Sequence, residues 1–117
     1  MPSRTEELWQ DFWKRLGVRG NSKFYYNDLV NKYSSNRRAY HNLSHIEACL
    51  LEFEDVRHLA IEPKAIEFAI WYHDAVYDTK RNDNEEKSCL LAIEVVRKLR
   101  MSIIDFGQEV LHHIIAT

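Results

Sequence analysis

Residues 63–74 read PKAIEFAIWYHD, and the apolar residues among them recur at the spacing of one face of an α-helix. Proline is tolerated in the first turn of a helix, where its missing N–H has no intrahelical role. The face that follows carries Ala65, Ile66, Ala69, Ile70 and His73. The segment therefore predicts a helix with Pro63 in its first turn and an apolar face that ends in a histidine, followed directly by Asp74.

Similar periodicity predicts further helices on both sides of this segment. A helix is predicted from residue 102 onward, and other apolar stripes fall within residues 8–16, 26–33, 44–56 and 89–99. Ser44 begins a capping-box pattern, S-H-I-E, so we predict that the third helix starts there. Asn82 or Asp83 is expected to cap the fifth helix, and the polar residues 34–38 and 78–84 are predicted as loops.

The composition favours a single all-α domain that spans residues 1–117. A chain of 117 residues is long enough for one hydrophobic core and too short for two. Its 3 glycines and 2 prolines are too few for the many turns of a β fold. We expect five to six helices around a core that includes Trp9, Trp13, Ile46, Leu50, Phe53, Ile66, Ile70 and Val96.

Charge and hydropathy argue against several classes of partner. The net charge of -2 and the pI near 6.3 provide no general basic field, so no nucleic-acid partner is expected. No apolar run approaches the roughly 18 residues of a membrane span, so no membrane partner is expected either. Cys49 and Cys89 lie in helical patterns without a C-x-x-C pair, which predicts reduced core thiols in a cytoplasmic protein.

Two of the predicted helices carry groups that can bind a metal ion. Neighbouring residues of a helix point about 100° apart, so His73 and Asp74 can flank one ion if a facing helix adds His45. Imidazole and carboxylate ligands suit Mn, Fe, Zn or Mg, and the absence of clustered cysteines predicts a site without thiolate.

Ordinary structural roles compete with this interpretation. A single histidine at the end of an apolar face is more often a hydrogen-bonded core residue than a ligand. Here, however, an adjacent Asp74 is costly to bury without a partner, and a metal ion is a partner that also accounts for two histidines. His41 fits a cap of the third helix, or a stack on Tyr40, as well as it fits a functional role.

Three ordered segments resemble a known family. They are RAYHNLSHI at residues 38–46, YHDAVYD at residues 72–78 and NEEKS at residues 84–88. In order and spacing they are similar to the predicted metal-dependent HD superfamily phosphohydrolases, and the resemblance covers nearly the whole chain. The first segment also resembles the Tyr-His-Asn-x-x-His signature of cyclic nucleotide phosphodiesterases, which share the HD core. The resemblance implies an HD-like helical bundle that hydrolyses a small-molecule phosphoester or nucleotide with a divalent metal.

The resemblance also implies roles for particular residues. His45, His73 and Asp74 would be the metal ligands, and His41 would donate a proton to the leaving oxygen. In related HD enzymes an acidic residue after the His-Asp pair orients water. Glu85 matches that position, although helix capping explains Glu85 equally well.

A basic side chain near the site would bind the substrate phosphate through charge-assisted hydrogen bonds. Arg38, three residues before His41, and Lys80 or Arg81, in the loop after the His-Asp pair, could each fill this role. Most such charges are only solvated, and Arg38 alone is favoured.

The family pattern implies one more Asp, on a later helix. Asp105 is the only Asp beyond the fifth helix, and a stabilising role in a first helical turn explains it better. We therefore expect a chain truncated in its C-terminal part, with weak metal binding and poor hydrolysis. We also expect exposed apolar surface that favours a homodimer or aggregation, from Val110, Leu111, Ile114 and Ile115.

Two alternatives to an enzyme remain open at this point. One is a non-catalytic helical module that binds a metal, a nucleotide or a partner protein. The other is a metal-free bundle in which the histidines are ordinary core residues, and elemental analysis would distinguish it.

Overall fold

The computed structural model describes residues 3–34, 42–77 and 82–116. Within these ranges it contains α-helices and no strand, which confirms the all-α class. The helices are α1 Arg4–Leu16, α2 Ser22–Tyr33, α3 Leu43–Val56, α4 Pro63–Tyr72, α5 Asn84–Lys98 and α6 Gln108–Ala116. A 3-10 turn, Arg57–Leu59, follows α3, and a π-helical turn, Ile103–Gly107, precedes α6. None of these helices is both long and apolar enough to cross a bilayer.

Helix boundaries follow the capping chemistry of the sequence, with one correction. Pro63 occupies the first turn of α4, and α1 is followed by Gly17, whose φ of 67° suits glycine. The prediction that Ser44 caps α3 is wrong. Asn42 is the cap, in extended conformation, and its side chain accepts a hydrogen bond of 3.1 Å from the backbone N of His45. Asn and Ser are equally good caps, so their chemistry does not decide between the two positions. Asn42 is the one used, and α3 therefore begins at Leu43.

α4 lies at the centre of the bundle, where it contacts α1, α3, α5 and α6. The core prediction is confirmed for all its members except Ile66 and Ile70, which are only half-buried. Because neighbours surround α4 on several sides, its buried positions do not form a single stripe. They are Ala65, Glu67, Phe68, Ala69, Trp71 and Tyr72.

A buried carboxylate ties α4 to two other elements. Glu67 is only 2% exposed, and it accepts hydrogen bonds from Arg15 of α1 and from Arg57 of the 3-10 turn. Arg57 also pairs with Glu54 and lies over the ring of Phe53, 5.0 Å from its centroid. The hydrogen bond with Glu67 raises the pKa of Arg57 further above its ordinary value. The buried charge is thus paired on both of its oxygens.

The expectation of an exposed apolar face on α6 is confirmed for Ile115 and wrong for the rest of the face. Val110 and Ile114 are fully buried because α6 packs against α4 and α5. Leu111 is half-buried, and only Ile115 is largely exposed, at 61%. The described part of α6 therefore has its partners within the chain.

Candidate metal centre

His45 enters the site from the first turn of α3. Because Asn42 accepts a hydrogen bond from the backbone N of His45, the cap that starts the helix also fixes the main chain at this histidine. The imidazole is exposed and lies 6.0 Å from the ring of His73, centroid to centroid. The start of α3 and the end of α4 therefore bring the two histidines close together, with their ring planes tilted by 59°.

His73 is held by the last turn of α4. Its backbone N donates to the carbonyl of Ala69, and its Nδ1 lies 2.8 Å from the carbonyl oxygen of Ile70. A carbonyl can only accept, so Nδ1 carries the proton and the lone pair is on Nε2 when the ring is neutral. Nε2 lies 3.3 Å from Oδ2 of Asp74. A backbone carbonyl thus orients the ring, as is usual for metal-binding histidines.

The charge state of His73 depends on Asp74 when no cation is bound. Burial of the ring favours its neutral form and opposes protonation. The hydrogen bond and the negative charge of Asp74 outweigh burial and raise the pKa of His73 above its ordinary value. The pair therefore has an affinity for positive charge.

The two remaining carbonyls of the last turn of α4 are also satisfied. The buried hydroxyl of Tyr33, on α2, donates to the carbonyl of Trp71 at 2.7 Å. The backbone N of Ala75 donates to the carbonyl of Tyr72 at 3.1 Å. The last four carbonyls of a helix normally lack partners inside the helix. Here each has one, so the backbone that carries the His-Asp pair has little freedom to shift.

Ser88 fixes the segment that follows the His-Asp pair, a role that sequence analysis did not assign. Its fully buried hydroxyl, on α5, accepts a hydrogen bond of 3.0 Å from the N of Val76 and donates one of 3.2 Å to the carbonyl of the same residue. The available signal was a serine one turn before Ala92, in the apolar stripe of α5. A buried polar group in such a stripe requires partners.

The structure brings His45, His73 and Asp74 together in one cluster. One potential ligand atom of each lies within 4.8 Å of those of the other two. Two ligands bound at about 2.1 Å from one ion are at most about 4.2 Å apart, so a small closure of the cluster would suffice. Two imidazoles and a carboxylate are a donor set for a borderline or hard divalent ion. The residues present therefore fit such an ion.

The cluster opens into a cavity of about 560 Å³. Glu85, in the first turn of α5, lines the same cavity and is exposed. It is therefore close to the cluster and also in the helical position that capping chemistry favours, so both roles suggested for it remain compatible with the structure. Sequence analysis did not anticipate that the walls also include Cys49, Ile70, Tyr77 and Asn84.

Other predicted site residues lie elsewhere. Arg38 and His41 are outside the described residues, as are the alternatives Lys80 and Arg81. Asp105 lies in the turn before α6, where its backbone N donates to the Ser102 hydroxyl and where it lines a different cavity. This position confirms the helix-start role that the sequence predicts for Asp105.

No protein-family model matches the chain, no curated protein shows significant sequence similarity to it, and no solved structure matches it. The functional argument therefore depends on the geometry of the described residues.

Proposed function

We propose that the chain is a metal-dependent phosphohydrolase of the HD type, which acts on a small-molecule phosphoester such as a nucleotide. The observation that supports this most is the convergence of His45, His73 and Asp74 within 4.8 Å. A histidine from one helix and a His-Asp pair from the end of another are the metal ligands that the HD resemblance implies. The cavity beside them provides room for a substrate.

A divalent cation, when bound, supplies Lewis-acid activation of a phosphate ester and lowers the pKa of water toward neutrality. The chain's own residues would do the rest. The Ile70 carbonyl keeps the lone pair of His73 on Nε2, on the side of Asp74. Glu85 lines the cavity with a carboxylate that can accept a hydrogen bond from water and so orient it.

The resemblance assigns two further roles to residues outside the described ranges. His41 would protonate the leaving oxygen, and Arg38 would hold a phosphate oxygen. With these assignments, metal binding and catalytic turnover depend on different residues. We expect His41→Ala to retain the metal and to lose activity, because a proton donor is not a ligand.

Metal content and phosphatase activity of the purified chain test the proposal together. Any bound metal, and any hydrolysis of p-nitrophenyl phosphate and of nucleoside monophosphates, should be lost in His73→Ala and Asp74→Asn. His113→Ala is the matched control, because His113 is a half-buried histidine on α6, near Glu109 and outside the cluster. Unchanged metal content in folded His73→Ala and Asp74→Asn proteins would refute the centre. Bound metal with no turnover of any phosphoester would favour a non-catalytic module.

A further inference from the structure

Cys49 adjoins the metal cluster on the same face of α3 as His45. It follows His45 by four residues, so one helical turn brings the two side chains together. Its Sγ lies 3.7 Å from Nε2 of His45, and the half-buried side chain lines the cavity of the cluster. The expectation of a core thiol therefore holds only in part, because this sulfur is accessible from the cavity.

The distance between these two atoms is that of two ligands on one zinc ion. Bonds of about 2.1 Å to nitrogen and about 2.3 Å to sulfur, at a tetrahedral angle, separate the ligand atoms by about 3.6 Å. The distance of 3.3 Å between Nε2 of His73 and Oδ2 of Asp74 is likewise close to the about 3.4 Å expected for neighbouring nitrogen and oxygen ligands. Each helix thus contributes a pair of groups with the spacing of tetrahedral neighbours.

We propose that Cys49 is the fourth ligand of the centre, and that the site selects zinc or another thiophilic divalent ion over magnesium. This inference rests on the metal centre of the proposed function, but not on catalysis, and zinc with four protein ligands still accepts a water by expanding to five ligands. A thiolate is a soft ligand that favours such ions, whereas a set of imidazole and carboxylate alone also accepts harder ones. The sulfur lies outside the tight three-residue cluster, so Cys49 and His45 would close toward His73 and Asp74 together, with their mutual distance kept.

Coordination replaces a proton by the metal ion. When the ion binds, the S–H bond breaks, its proton passes to the solvent, and the sulfur lone pair forms the bond to the ion. No electron is transferred in this step.

Titration of the purified chain with Co²⁺ tests the proposal, because cobalt reports its ligands in its absorption spectrum. We expect a thiolate-to-cobalt charge-transfer band in the near ultraviolet for the native chain. Cys49→Ser should abolish the band and weaken Zn²⁺ binding about 10-fold or more, with little change for Mg²⁺. Cys89→Ser is the matched control, since Cys89 is equally half-buried but does not line the cavity. The control should keep both the band and the affinity.

The outcomes separate this inference from the proposed function. If Co²⁺ binds through His73 and Asp74 but shows no thiolate band, the role of Cys49 is refuted and the phosphohydrolase proposal stands. If the band is present but no phosphoester is hydrolysed, the thiolate site stands and the enzyme proposal fails. If neither Co²⁺ nor Zn²⁺ binds, both proposals are refuted.

Discussion

Replacement of Glu67 by glutamine should be the most destabilising conservative substitution in α4. The carboxylate is only 2% exposed and accepts hydrogen bonds from Arg15 and Arg57, which come from two other elements. Glu67→Gln keeps the size of the side chain but removes its charge and turns one of its acceptors into a donor. The two guanidinium groups would then face each other without the anion between them.

The partial exposure of the two arginines sets the expected magnitude. Loss of one partner of a fully buried ion pair costs about 3–5 kcal/mol, chiefly because the other charge remains buried and unpaired. The side chains of Arg15 and Arg57 are 39% and 24% exposed, so water can reach both after the substitution. We therefore expect the lower end of the range, about 3 kcal/mol of unfolding free energy.

Urea unfolding at neutral pH, followed by far-ultraviolet circular dichroism, measures this loss. Glu54→Gln is the matched control, since Glu54 pairs with the same Arg57 but has a side chain that is 50% exposed. An exposed pair of this kind is worth about 0–1 kcal/mol. A loss for Glu67→Gln that does not exceed that of Glu54→Gln would refute the view that burial, rather than the mere presence of an ion pair, makes Glu67 important.

Three further predictions concern single side chains. Ser88→Ala should weaken metal binding about 10- to 100-fold in a folded protein, measured by calorimetric titration, because the segment after the His-Asp pair loses its attachment to α5. Tyr33→Phe should cost about 1–3 kcal/mol in thermal unfolding, since a buried carbonyl of α4 loses its donor, whereas Tyr26→Phe on the same helix should cost less. The hydrogen bond from Arg57 lowers the pKa of Glu54, so its contribution to stability is present above the unfolded value and is lost as the pH falls through the folded value. Urea midpoints between about pH 3 and 6 should therefore fall less steeply for Glu54→Gln, and an unchanged slope would contradict this assignment.

The helices were predictable because their apolar periodicity and capping residues are local. The predicted start of the third helix, at Ser44, lies after the observed start at Leu43. Asn42 and Ser44 are chemically equivalent as caps, and only the backbone conformation distinguishes them. The apolar stripe of α4 predicted that Ile66 and Ile70 are buried, and it could not show that both are only half-buried. A helix with neighbours on several sides buries residues by tertiary contact, and Ile70 lies at the wall of the cavity instead.

The candidate site was predictable in its ligands but not in its surroundings. His45, His73 and Asp74 stand out in the sequence because few structural roles call for two histidines and a carboxylate together at helix ends. Sequence spacing does not determine how α3 and α4 are rotated against each other. It therefore could not predict that Cys49 and Tyr77 line the same cavity as the three ligands.

The two sides of the cluster differ in how firmly they are held. His73 and Asp74 follow a helix end whose last four carbonyls all accept hydrogen bonds, and Ser88 clamps the next segment to α5. His45 is exposed at the opposite wall, beside the thiol of Cys49. His73 and Asp74 are therefore already in position before an ion binds. The conformational entropy lost on metal binding comes mainly from the side chain of His45, on α3. Since preorganised groups lose less entropy on binding, His73 and Asp74 should contribute more to metal affinity than His45 does.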